Sequence, residues 1–127
     1  MELYFPSELP EQLAFIGAAL VALAGLVLFL MPSAALKAAG FSVGLVTPEG
    51  YGATRSTGGM YLGLGGTALF LAQDWIYLAV GAAVALGALG RLISVFADRG
   101  ATPRNIGFML LQVVVSCLPL GYVFGYF

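Results

Sequence analysis

Histidine is absent from this 127-residue sequence, and cysteine occurs once, as Cys117. These shortages remove the ligand sets of zinc sites, a Cys and His nucleophile pair, an imidazole-ligated haem and any disulfide within the chain. Neither a metal nor a cofactor is expected. Charge is scarce as well: 9% of residues are charged, and the five Lys and Arg never form a run. A nucleic-acid surface needs a basic stripe to neutralise phosphates, so nucleic acid is excluded as a partner. Soluble domains carry about 25% charged residues. With 61% apolar residues and a mean hydropathy of +1.00, this chain reads instead as an integral membrane protein.

Crossing ~30 Å of hydrocarbon takes about 20 apolar residues in a helix. Four stretches qualify, at residues 12–31, 53–72, 75–97 and 105–127. The first and last are free of charge, whereas the second has Arg55 near its start and the third carries Arg91 inside it. A barrel would show period-two alternation, which is missing, so each stretch is expected to be a helix that satisfies its own backbone. The expected fold is all-α: residues 1–127 as a single transmembrane domain, a four-helix bundle. Glu2, Glu8 and Glu11 precede the first span without any Lys or Arg. A secretory signal starts positive, so this span reads as retained and the mature chain as beginning near Met1. Pro6 and Pro10 give it an extended entry, with Ser7 or Glu8 as its capping group.

Only Gln73 and Asp74 separate the second and third spans, which predicts a tight antiparallel hairpin. Between the first two spans, Pro32 opens a short helix favoured by Ala34, Ala35, Leu36, Ala38 and Ala39 and ended at Gly40. Too short to span, it is expected to lie at the interface, with a re-entrant segment as the alternative. All cations fall on one side: Lys37, Arg55, Arg99 and Arg104 lie in or beside the two loops there, and Arg91 is buried on the same side. The positive-inside rule makes those loops cytoplasmic and both termini outward, or periplasmic in a cell inner membrane. Tyr4, Trp75, Tyr77, Tyr122 and Tyr126 map to the outer face, as an aromatic belt would.

Arg91 stands seven residues before Asp98, roughly 10 Å inside the cytoplasmic end of its helix at 1.5 Å per residue. Burying it there costs about 2.5 to 3.5 kcal/mol, which marks a functional or pairing site. Two readings remain open. In the first, Arg91 snorkels to the interface or pairs with Asp98. In the second, Tyr61 and Gln112, at the same depth on two other helices, join Arg91 in a polar layer. Thr57 and Ser94 then lie one turn nearer the cytoplasm, and Arg55 and Asp98 close that end. Ala24 and Gly25 leave space beside such a layer. It suits an anionic headgroup or carboxylate held by Arg91 and Arg55 and oriented by Tyr61 and Gln112, although the same layer could also simply pin the helices in register.

Small residues recur at four-residue spacing: Gly59, Gly63 and Thr67 on one helix of the hairpin, Ala79, Ala83 and Gly87 on the other. Gly59, Gly63, Ala83 and Gly87 are therefore expected to pack the helices closely, within one chain rather than between two. Pro119 is expected to kink the last span near Ser116 and Cys117.

The run Arg55, Ser56, Thr57, Gly58, Gly59, Met60, Tyr61, Leu62, Gly63, Leu64, Gly65, followed by Gly90, Arg91, Ser94 and Asp98, resembles a bacterial membrane family called domain of unknown function 4345. The likeness covers Ala53 to the C-terminus; the first helix and long loop match only in hydropathy. That family places Gly directly after the acidic residue, where this chain has Arg99 before Gly100. The resemblance implies a four-helix membrane fold and carries no activity with it.

The leading expectation is a non-enzymatic membrane protein that binds lipids, anionic ones in particular, or serves as an accessory subunit of a membrane complex or homo-oligomer. Asp74 and the N-terminal glutamates are far from Arg91, and Asp98 lacks an acidic or imidazole partner for acid and base chemistry. One alternative is a small anion or metabolite carrier component using Arg91. Another is a lipid or quinone redox accessory acting through Tyr61 or Cys117, although Cys117 lies in an apolar segment that keeps it a thiol.

Overall fold

The computed structural model describes residues 5–127; Glu2 and Tyr4, for which a charge and an interface position are expected, lie outside them. The described chain is all-α, without strands, in five helices: α1 (Leu9–Leu30), α2 (Pro32–Ala38), α3 (Pro48–Leu71), α4 (Asp74–Ala97) and α5 (Pro103–Val123). A single 3-10 turn, Val43–Leu45, interrupts the connection between α2 and α3.

The helix starts have a shared local cause. Thr47 and Thr102 each precede a proline, and each hydroxyl accepts from the backbone N–H three residues on, Gly50 and Asn105, at 3.1 Å. The proline that follows sits where its missing N–H costs nothing. Thr47 and Pro48 start α3 five residues ahead of the stretch read from hydropathy. At the start of α1, Glu8 has the extended N-cap backbone but its side chain makes no capping bond. α2 ends as expected, with Gly40 just beyond it at φ 101.

Three helices, α1, α4 and α5, are long and apolar enough to cross a membrane. α3 is long enough, at 24 residues or about 36 Å, but Glu49, Arg55 and its many glycines make it less apolar.

Packing departs from the tight hairpin. α1 lies chiefly against α3 and then α5, α4 lies chiefly against α5, and α3 meets α4 only over a limited stretch. Ala72 closes α3 in a left-handed conformation, φ 49, so the link before α4 is as short as expected. What selects the partner of α3 is the face that permits close approach. A Cβ on Gly58 would lie 2.6 Å from the Gly25 carbonyl oxygen, and one on Gly65 would lie 2.6 Å from the Ala22 nitrogen. Those contacts are between backbones, which only residues without a side chain allow. Ala14, Ala18, Val21, Ala68, Tyr77, Val80 and Val84 form the buried core around this crossing.

The glycines singled out by spacing have other surroundings. A Cβ at Gly63 would meet nothing within 4 Å, and at Gly59 it would meet only the Phe29 ring, at 3.5 Å. Ala83 is half-buried. Gly87 faces Gln112, whose amide nitrogen would lie 3.1 Å from an added Cβ. On α5, the fully buried Pro119 is wedged between Gly17 of α1 and Gly81 of α4.

The aromatic belt is also revised. Tyr77 is fully buried and packs edge-on against Tyr122, ring centroids 5.6 Å apart, so this pair belongs to the core. Trp75 and Tyr126 are the exposed members, at 78% and 83%.

Candidate functional site

Cations gather at the end of the molecule where α1 and α4 finish and α3 and α5 begin. Arg55 donates from Nη1 to the Phe29 carbonyl at 2.7 Å, satisfying one of the orphan acceptors at the C-terminus of α1. Arg104 approaches Gly40, next to the end of α2. Lys37 lies in the last turn of α2.

Arg91 reaches α4's neighbour instead of the solvent. Its Nε donates to Gln112 Oε1 and its Nη1 to Asn105 Oδ1, both at 3.0 Å, and its guanidinium carbon lies 5.2 Å from the centroid of the Phe108 ring. All three partners are on α5, at positions i, i+3 and i+7, which put them on one helix face. Asn105 is itself held in place, donating from Nδ2 to the Gly100 carbonyl at 2.8 Å. Arg91 is thus fixed by two neutral hydrogen-bond acceptors and an aromatic face. Nη2 makes no hydrogen bond with a described residue, and no carboxylate pairs with the guanidinium among the described residues.

The pairing of Arg91 with Asp98 is therefore not formed. Asp98 is exposed and serves as the C-cap of α4, its N–H donating to the Ser94 carbonyl at 2.9 Å. Gly100 N–H donates to that same carbonyl at 3.1 Å, and the intervening Arg99 takes a left-handed φ of 55 to allow it. Ser94 consequently belongs to the end of α4.

Tyr61, Thr57, Arg91 and Gln112 do come together. They line one cavity of about 310 Å³, walled on its other side by Leu28 of α1 and by Ala35, Leu36 and Ala39 of α2. Tyr61 and Gln112 also line a second space, of about 210 Å³, with Leu20, Val21 and Ala24 of α1, Val84 of α4 and Leu111 and Val115 of α5. The polar layer expected from depth thus separates a mixed cavity under α2 from an almost wholly apolar notch. Arg55 lines neither. Gly25, expected to leave space here, is filled by the α3 backbone, while Ala24 borders the notch.

Asn105 and Phe108 are the members that depth counting passed over. Their spacing to Gln112 was the available signal, since any side chain reaching Gln112 from α4 must pass the same face. Among the described residues no group of three or more His, Cys, Asp or Glu gathers where a metal could sit.

Comparison with protein-family models, curated proteins and solved structures gave no match.

Proposed function

We propose that this chain is a small, non-enzymatic, four-span membrane protein that binds an anionic lipid headgroup through Arg91, as a lipid-binding accessory component of a bacterial inner membrane. One observation carries the reading. Arg91 lies within a membrane-competent helix, lines a cavity, and is held only by neutral groups among the described residues. The guanidinium has no carboxylate partner among the described residues, and a negatively charged oxygen is the complement that offsets the cost of placing it there. Nη2 supplies donors for it, and Tyr61 and Thr57 border the same space. α3 counts as the fourth span in this reading because its 24 residues match the thickness and its backbone is shielded along one face by α1. Lys37, Arg55, Arg99 and Arg104 then lie at the cytoplasmic side and the termini outside.

The test is mass spectrometry of the protein purified in gentle detergent from a bacterial membrane. Phosphatidylglycerol or another anionic lipid should remain bound to the parent and be lost from Arg91→Gln, with neutral lipid equally sparse on both. Retention of the same lipids by both proteins would end the proposal.

A further inference from the structure

We infer that the site is bipartite: the anionic group of an amphiphile sits with Arg91 in the cavity under α2, and an acyl chain passes the Tyr61 and Gln112 layer into the notch between α1 and α5. This rests on Arg91 being the anion-binding group, and it adds the class of ligand and where its chain runs.

The notch is built by how α1 and α5 meet. They come close at Gly17, where an added Cβ would lie 2.9 Å from Pro119 Cδ and 3.0 Å from Leu118 Cβ. One to two turns further along α1, the residues facing α5 are Leu20, Val21 and Ala24, and there the helices leave the 210 Å³ space. Six of its eight lining residues are aliphatic, while the other two, Tyr61 and Gln112, are shared with the Arg91 cavity. The two spaces therefore adjoin along α1 from Leu20 to Leu28, about 12 Å at 1.5 Å per residue. An occupant charged at one end and aliphatic at the other matches this order, whereas a small anion would leave the notch without a complement. Leu20, Ala24 and Leu111 on its rim are exposed, so the notch opens sideways towards the surrounding hydrocarbon.

Chain burial adds little hydrophobic driving force, because the chain leaves an equally apolar solvent. Its contribution is packing and position, while the head supplies selectivity. A fatty-acid carboxylate and an anionic phospholipid share this chemistry.

The experiment uses the whole protein in neutral detergent with three photoreactive probes bearing a mid-chain diazirine: a fatty acid, a phosphatidylglycerol and a phosphatidylcholine. Cross-linked residues are mapped by peptide mass spectrometry on the parent, Arg91→Gln and Leu111→Trp, the last of which fills the rim from an exposed position. Cross-links at Leu20, Ala24, Leu111 or Val115 from an anionic probe, reduced about tenfold or more by Arg91→Gln, are the expected result. Leu111→Trp should displace those cross-links, because the added ring occupies the rim that the chain would fill. Preference for the fatty acid or for phosphatidylglycerol identifies the source of the anion within the proposal. Cross-links elsewhere, with labelling still dependent on Arg91, would overturn the chain path and leave the anion site standing. Equal labelling of the notch by phosphatidylcholine, or labelling indifferent to Arg91, would overturn both.

Discussion

Gly25 of α1 and Gly58 of α3 meet backbone against backbone, with room for a side chain on neither: a Cβ on Gly58 would lie 2.6 Å from the Gly25 carbonyl oxygen. The glycine that spacing alone would favour, Gly63, faces open space. Replacing Gly58 with Leu should force the helices apart and cost at least about 1 to 3 kcal/mol. The same change at Gly63 should leave the melting temperature in detergent close to that of the parent. Equal losses at both positions would mean that α3 is rotated from the orientation described.

Asn105 connects Arg91 to the turn after α4, accepting from the guanidinium and donating to the Gly100 carbonyl. Asn105→Ala removes both bonds and should cost about 1 to 3 kcal/mol. Asp98→Asn changes an exposed residue without an ion pair among the described residues, and should stay within about 0.5 kcal/mol. In double-mutant cycles, Arg91→Gln should couple to Asn105→Ala and add simply to Asp98→Asn. Strong coupling to Asp98 would restore the ion pair that the structure replaces.

Arg99 and Ala72 hold left-handed backbone at φ 55 and φ 49, a conformation that costs non-glycine residues roughly 1 to 2 kcal/mol. Glycine at either position should raise the melting temperature, with a gain of up to about 1 kcal/mol after its greater freedom in the unfolded chain is deducted. A loss at position 99 would show that the arginine side chain contributes more than its strained backbone costs.

Helix content and the positions of the long elements were legible because a lipid-soluble helix has to be both long and nearly free of charge, and residues 12–31, 75–97 and 105–127 are. The start of α3 was less so, since the apolar stretch is read only from residue 53 whereas the chain is already capped at Thr47 and Pro48. Which helices pair was hidden for a different reason. α3 carries glycines on more than one face, so a four-residue spacing through Gly59 and Gly63 reads as well as the face with Gly58 and Gly65. Depth counting placed Tyr61, Arg91 and Gln112 in one layer because it needs only the rise per residue. It could not choose between Asp98 and α5 as the partner of Arg91, because that depends on which way a long side chain turns, and the guanidinium turns to α5.

The central claim is that Arg91 holds an anionic headgroup, and a thermal-shift titration tests it most directly. A ligand that binds only the folded state stabilises it by about 2.7 kcal/mol at a hundred times its dissociation constant. Phosphatidylglycerol added to the delipidated protein should therefore raise the melting temperature of the parent in a saturable way. It should leave that of Arg91→Gln unchanged, and phosphatidylcholine should shift neither. Equal stabilisation of parent and variant by phosphatidylglycerol would contradict the account.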